Sequence, residues 1–216
     1  MDDHPPLGEA LEVNLENLRQ LNRYFGAYQM AWSRIAPLAK QHRHFRWLDL
    51  ACGLADIPAY VVDRLASHGV EATVTGIDFQ PATLELAKRH VGRRPIHLIE
   101  ADLHEFEPTE SYDIATCFLA LHHFSAQDAI ALLRRMRTWQ IPVLLIADLE
   151  RSPAAKVAID ALTRLWMRSP ETRHDAVLSI ERAFSHREFG DLATLAGWCG
   201  FEQRRHRLFR QSILLR

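Results

Sequence analysis

Leu11, Leu15, Leu18, Leu21 and Phe25 recur at steps of three and four residues, a spacing that predicts an amphipathic helix over about residues 9–25. Gly26 breaks the pattern, and Met30, Ile35 and Leu38 carry a second helix toward His42. The period then changes. Short apolar runs bounded by turn residues fall at 46–50, 73–78, 96–100, 112–118 and 143–148 and read as strands. Helical patterns over about 57–68, 81–91 and 125–138 separate them, and a short, weakly patterned link joins the third and fourth strands. Strands alternating with helices in this way predict right-handed β-α-β units and a parallel sheet covered on both faces.

Beyond the fifth strand, residues 154–168 form another amphipathic segment with Val157, Ala158, Ala161, Leu162, Leu165 and Trp166 on one face. Ser169-Pro170 ends it and a polar stretch follows. A further helix over about 185–199 closes at Gly200, and the tail from Phe201 to Leu215 reads as two strands turning near Phe209–Gln211. No internal repeat, linker or low-complexity run divides the chain. The expected organisation is an N-terminal helical cap over 1–44 and an α/β domain over 45–216, with a lid helix near 154–168.

Composition narrows the partners. The chain has 216 residues, enough for one domain with a large core. With 26 basic and 27 acidic residues the formal net charge is −1, which gives no global electrostatic case for nucleic acid or an anionic membrane. Cys52, Cys117 and Cys199 are an odd number, widely spaced, with no Cys-x-x-Cys, so neither a disulfide framework nor a metal site is expected. The N-terminus is polar and acidic, and no apolar run reaches membrane-spanning length. A cytoplasmic location is the default expectation.

The chemistry concentrates at strand ends. Trp47-Leu48-Asp49-Leu50 stops at Ala51-Cys52-Gly53 and a helical pattern follows, the layout of a buried parallel strand turning into a helix whose N-terminus faces a ligand. Small residues suit that turn because a large Cβ substituent would keep the backbone away from the ligand. Cys52 reads as one more small residue tolerating close approach. Asp78 ends the second strand. In a nucleoside-binding fold an acid there accepts hydrogen bonds from both ribose hydroxyls; its other reading is a helix cap ahead of Pro81. Asp102 ends the third strand and is either a pure acceptor for an exocyclic amine or a solvent-exposed acid. After the fourth strand, Leu121-His122-His123 carries the only nearby imidazoles able to take a proton, although one could cap the next helix and one could pack against a ligand. Asp148 ends the fifth strand and either touches a substrate, caps a helix or pairs with Arg151.

Taken together, Asp49 to Gly53, Asp78, Asp102 and Asp113 to His123 resemble, in order, the motifs of the class I S-adenosylmethionine (AdoMet) dependent methyltransferases, small-molecule branch, over about residues 45–150. Phe184-Ser185-His186-Arg187-Glu188-Phe189 through Gly197-Trp198-Cys199-Gly200-Phe201 resembles that family's last helix and the turn into its closing strands. The resemblance implies a Rossmann-like, seven-stranded, mostly parallel sheet whose antiparallel last strand inserts beside the fifth, with helices on both faces. It implies AdoMet as cofactor: Asp49 near the methionine ammonium, Ala51, Cys52 and Gly53 lining the methionine part, Asp78 on the ribose, and Asp102 on the adenine. Phe79, Leu103 and Phe118 complete the cofactor contacts. The chain departs from the family in its turn, which keeps only Gly53 where two or three glycines are usual; Ala51, Leu54 and Ala55 narrow the backbone angles available.

The implied reaction is methyl transfer to a small-molecule acceptor, an aromatic or lipophilic phenol or enol, with His122 or His123 as base. No Asn/Asp-Pro-Pro-Tyr/Phe motif follows the fourth strand, which argues against amino methylation of bases or glutamine. No nucleic-acid module and no membrane insertion are expected, and a homodimer is left open. Two alternatives stand beside this reading. One is a non-catalytic scaffold that has lost cofactor affinity through its turn. The other is an NAD-dependent oxidoreductase, which the single glycine and the acids Asp49 and Asp56 disfavour because both would repel a pyrophosphate.

Overall fold

A computed structural model of the protein describes residues 7–166 and 170–216. Its strands form one seven-stranded sheet in the order β3-β2-β1-β4-β5-β7-β6. The chain divides into two compact units, Met1–Leu103 and His104–Arg216.

The first unit opens with two helices, α1 (Leu7–Tyr24) and α2 (Ala27–Ala39), which meet at Gly26 in the left-handed conformation (φ 81°). It continues as β1 (His44–Leu50), α3 (Asp56–Ser67), β2 (Glu71–Asp78), α4 (Pro81–Val91) and β3 (Ile96–Glu100). β1 and β2 run parallel with Asp49 opposite Gly76, and β2 and β3 run parallel with Asp78 opposite Glu100. The apolar run of β1 is buried on both faces: Phe45, Trp47, Leu48 and Leu50 are all in the core. Pro81 occupies the first turn of α4, where its missing N–H costs no hydrogen bond. The parallel register brings the ends of β1 and β2 to one edge of the unit.

The second unit contains β4 (Ile114–Phe118), a short 3-10 turn (Leu121–His123), α5 (Ala126–Met136) and β5 (Leu144–Leu149). Three helices follow, α6 (Pro153–Trp166), α7 (Pro170–Arg182) and α8 (His186–Leu195), and then the hairpin β6 (Phe201–His206) and β7 (Arg210–Leu215). β4 and β5 are parallel. β7 pairs antiparallel with both β5 and β6, so the last strand is inserted beside the fifth as expected.

Several expectations are corrected. The polar stretch after Ser169 is the helix α7; Pro170 does not end structure there but begins a helix, the one helical position that tolerates proline well. On α6 the apolar face is turned from the expected one: Ala155 is buried while Val157 is 71% exposed. The side chains of Ala161, Leu162, Leu165 and Trp166, with residues 167–169, lie outside the described residues. The tail turns earlier than expected, at 207–209, where Leu208 and Phe209 both take positive φ.

Candidate active site

In the first unit, the turn between β1 and α3 has an alternating backbone. Ala51 (φ 53°), Gly53 (φ 53°) and Ala55 (φ 52°) are all left-handed. The two alanines therefore adopt the conformation that their side chains were expected to resist, at a cost of about 1–2 kcal/mol each for a non-glycine residue. The surrounding hydrogen bonds hold them there. The Cys52 amide donates to the Ile77 carbonyl (2.9 Å), the Ala55 amide to the Cys52 carbonyl (2.8 Å), and the Ala59 amide to Ala55, which starts α3. A Cβ placed on Gly53 would meet no atom within 4 Å, so the turn opens onto free space at its middle residue. That opening, free of any side chain, is what close approach of a ligand to the backbone requires.

Asp78 secures the turn from β2. Its Oδ2 accepts from the Gly53 amide (2.9 Å) and its Oδ1 from the Gln80 amide (3.0 Å). The cap position of α4 is Gln80, so Asp78 stands two residues outside that helix and bridges two turns. Each carboxylate oxygen keeps a lone pair for a further donor, which suits a pair of ribose hydroxyls. Asp49 is almost fully buried at the end of β1. Beyond β3, Leu103 is buried and Asp102 is exposed, while Phe79 is 66% exposed, an unusual setting for an aromatic ring and one suited to cover a flat ligand. All predicted cofactor-contact residues except Phe118 thus belong to the first unit.

Cys52 has a packing role. An added Cβ at Gly76 would lie 3.0 Å from the Cys52 Sγ, so the thiol fills the space that Gly76 leaves on β2. Burial, reinforced by Asp49 and then Asp78, pushes the thiol's pKa up and keeps it protonated, unlike a nucleophile.

Next to this turn lies a polar cluster that sequence reasoning passed over. Asp56, the first residue of α3, is buried, and its Oδ2 accepts from the Tyr28 hydroxyl (3.0 Å) and the Asn22 amide (3.2 Å). Burial raises the Asp56 carboxyl above its ordinary range, and burial beside that carboxylate keeps the Tyr28 phenol protonated as a donor. Asp56 was noticed only as a charge that repels phosphate; its partners sit 34 and 28 residues away and no local spacing announces them.

In the second unit, β4 ends in Phe118, which is buried, and the next residue, Leu119, is held left-handed (φ 54°) by its amide bond to the Ala147 carbonyl (2.8 Å). Backbone strain on a leucine is costly and tends to collect where geometry serves function. The turn that follows sets His122 against the end of β5. His122 is buried; its Nδ1 donates to Asp148 Oδ1 (2.7 Å), and its amide donates to Asp148 Oδ2 (2.9 Å). The Leu149 amide also donates to Asp148 Oδ1 (2.7 Å). A carboxylate holding Nδ1–H fixes the tautomer in which Nε2 is the proton acceptor.

This pairing corrects two expectations. Asp148 pairs with His122 and not with Arg151, whose guanidinium goes to Glu188 (2.5 Å). Neither histidine caps α5; that role belongs to Ser125, which accepts from the Asp128 amide (3.2 Å). The His123 ring lies tilted against that of His122, with centroids 4.1 Å apart, but is itself exposed. Partial burial, with His122 and Arg182 nearby, holds the His123 pKa below the usual imidazole value, so the ring is neutral at pH 7. Helix α7 lies against this turn. Among the described residues no cluster of His, Cys, Asp and Glu could hold a metal ion, and no helix is long and apolar enough to cross a membrane.

Residues 48–142 match the family model described as "Methyltransferase domain". No curated protein matches the sequence. Among solved structures, the fold is similar to the plantazolicin methyltransferase BpumL in complex with SAH (S-adenosylhomocysteine), at TM-score 0.71 and 16% identity over 96% of this chain and 89% of that one. It is also similar to an O-methyltransferase family protein from Burkholderia thailandensis (TM-score 0.70, 16% identity, 96% of this chain and 59% of that one). A third is the magnesium protoporphyrin IX methyltransferase from Synechocystis PCC 6803 with bound SAH (TM-score 0.60, 13% identity, 100% of this chain and 89% of that one). Residues 48–142 thus match a methyltransferase domain, and the chain shares the fold of these solved methyltransferases, two of which hold SAH.

Proposed function

We propose that the protein O-methylates a small aromatic or lipophilic phenol or enol in the cytoplasm, with His122 as the general base. The observation that carries this reading is the buried His122–Asp148 pair at 2.7 Å. An amine acceptor needs only to arrive unprotonated, whereas a phenol must lose its proton as the new bond forms, and a buried imidazole oriented by a carboxylate is suited to take it. Asp148 orients the ring and stabilises the imidazolium that proton transfer creates. His123, neutral at pH 7, is the second group able to accept a proton, at the exposed side of the pair.

When bound, AdoMet supplies a methyl group already activated by a sulfonium. The residues that would hold it are Asp49 toward the methionine ammonium, Ala51, Cys52 and Gly53 along the methionine, Asp78 on the ribose, and Asp102 on the adenine. Phe79, Leu103 and Phe118 would line the apolar parts. The open space over Gly53 and the spare lone pairs of Asp78 fit such a ligand. The N-terminal helices, as a cap over 1–44, and α6 would shield the acceptor from water. The near-zero net charge favours a small molecule over nucleic acid. The chain could act as a homodimer.

The test is turnover on a panel of phenolic acceptors, with SAH affinity measured alongside. His122→Gln and Asp148→Asn are each expected to lower kcat by about 10²-fold or more and to leave SAH binding unchanged. Full turnover by both variants would remove the base from this site.

A further inference from the structure

The N-terminal helix is held weakly for its apolar content. None of the described side chains of α1 is buried: Leu11, Leu15 and Leu21 are half-buried, and Val13, Leu18 and Tyr24 are exposed. By contrast α2 buries Ala27, Tyr28, Met30, Ala31 and Ile35. The two helices meet at Gly26, whose φ of 81° makes it a pivot that other residues would occupy only with strain. Glu12 of α1 pairs with Arg89 on the exposed surface (3.4 Å), and Asn22 of α1 reaches the buried Asp56.

Asp56 is placed where that second bond matters. It follows Ala55, the last left-handed residue of the cofactor turn, so the group that receives Asn22 and Tyr28 is the first residue after the strained segment. Both donors converge on one oxygen, Oδ2. Arg19 on α1 and His90 on α4 face the same carboxylate. Around it, Tyr28 stacks on Tyr60 of α3 (4.7 Å) and the Tyr60 hydroxyl receives Arg64 (2.7 Å), which makes the α2–α3 side of the cluster firm. On the α1 side, Asn22 supplies a hydrogen bond to Asp56.

We propose that Asp56 is a positioning residue that fastens α1, through Asn22, to the cofactor turn, so that α1 acts as a strap whose docking and cofactor binding reinforce each other. The inference rests on the AdoMet site being the Ala51–Ala55 turn. A ligand that orders this turn fixes the start of α3, and hence the acceptor that Asn22 needs; a docked α1 in turn restrains the turn in its left-handed form. The role requires an acceptor at position 56 and not its charge.

Calorimetric titration with SAH, combined with hydrogen exchange over residues 7–24, separates the possibilities. In the unaltered protein SAH should slow exchange across α1. Asn22→Ala removes one hydrogen bond from a half-buried position and cannot collapse the core; it should weaken SAH about fivefold, the worth of one such bond, and abolish the slowing. Asp56→Ala should weaken SAH about tenfold or more, whereas Asp56→Asn, which keeps an acceptor oxygen, should stay within about twofold. Unchanged SAH affinity in Asn22→Ala and Asp56→Ala, or equal losses in Asp56→Asn and Asp56→Ala, would overturn the proposal while leaving the cofactor site in place. No SAH binding by the unaltered protein would overturn the cofactor site and this inference together.

Discussion

The turn after β1 works with less glycine than its backbone calls for. Ala51 and Ala55 hold φ values that glycine adopts freely, and they are kept there by bonds to Ile77 and Cys52 and by α3 behind them. Ala55→Gly should therefore stabilise the protein: relief of about 1–2 kcal/mol of left-handed strain outweighs the 0.5–1 kcal/mol that glycine loses in conformational entropy. A urea midpoint that rises by the equivalent of about 0.5–1 kcal/mol is the expected result; a fall would mean the alanine methyl contributes packing that outweighs the strain. At this scale the sequence was only partly readable. Asp49, Gly53 and Asp78 stood out because acids and small residues at strand ends have few other reasons to recur in that order. Asp56 and the true partner of Asp148 did not, because a buried carboxylate is defined by donors far along the chain, such as Asn22 and Tyr28 for Asp56 or His122 for Asp148.

Among elements, the strands were the most legible, since β1, β2 and β5 are short, largely buried segments bounded by turn residues. Helix α7 was missed because Pro170-Glu171-Thr172-Arg173-His174-Asp175 has no apolar stripe, and a proline that can start a helix reads equally as one that ends it. Helix α8 gives the opposite case. Ser185 accepts from the Glu188 amide (3.3 Å) and Glu188 accepts from the Ser185 amide (2.7 Å), a complete capping box. Glu188 also receives Arg151 at the foot of α6, and Gln211 of β7 donates to the Leu149 and Phe184 carbonyls (3.1 and 2.7 Å), so the two ends of the α6–α7 excursion are tied together. Ser185→Ala should destabilise the protein by about 1 kcal/mol, seen as a lower Tm. A loss well above 2 kcal/mol would show that the cap also carries the excursion; no loss would remove the box as a stabilising feature.

For the whole molecule, the fold was readable because several weak signals shared one order along the chain, and no single one of them would have sufficed. Composition contributed by exclusion: a net charge of −1 and three widely spaced cysteines gave no case for nucleic acid, an anionic membrane or a disulfide framework. The acceptor was not readable. Its recognition depends on which side chains from separate segments come together, and the spacing within any one segment does not encode that. The base is a related case: Leu121-His122-His123 offered two imidazoles, and burial with Asp148 on Nδ1 distinguishes His122.

Calorimetric titration of the protein and of Asp78→Ala with SAH tests the central claim most directly. The account predicts micromolar binding by the unaltered chain. It predicts a loss of about 1–3 kcal/mol in Asp78→Ala, because the lost carboxylate is the acceptor proposed for the ribose and also the anchor of the Gly53 amide. Equal affinity in the two proteins, or no binding by either, would contradict it.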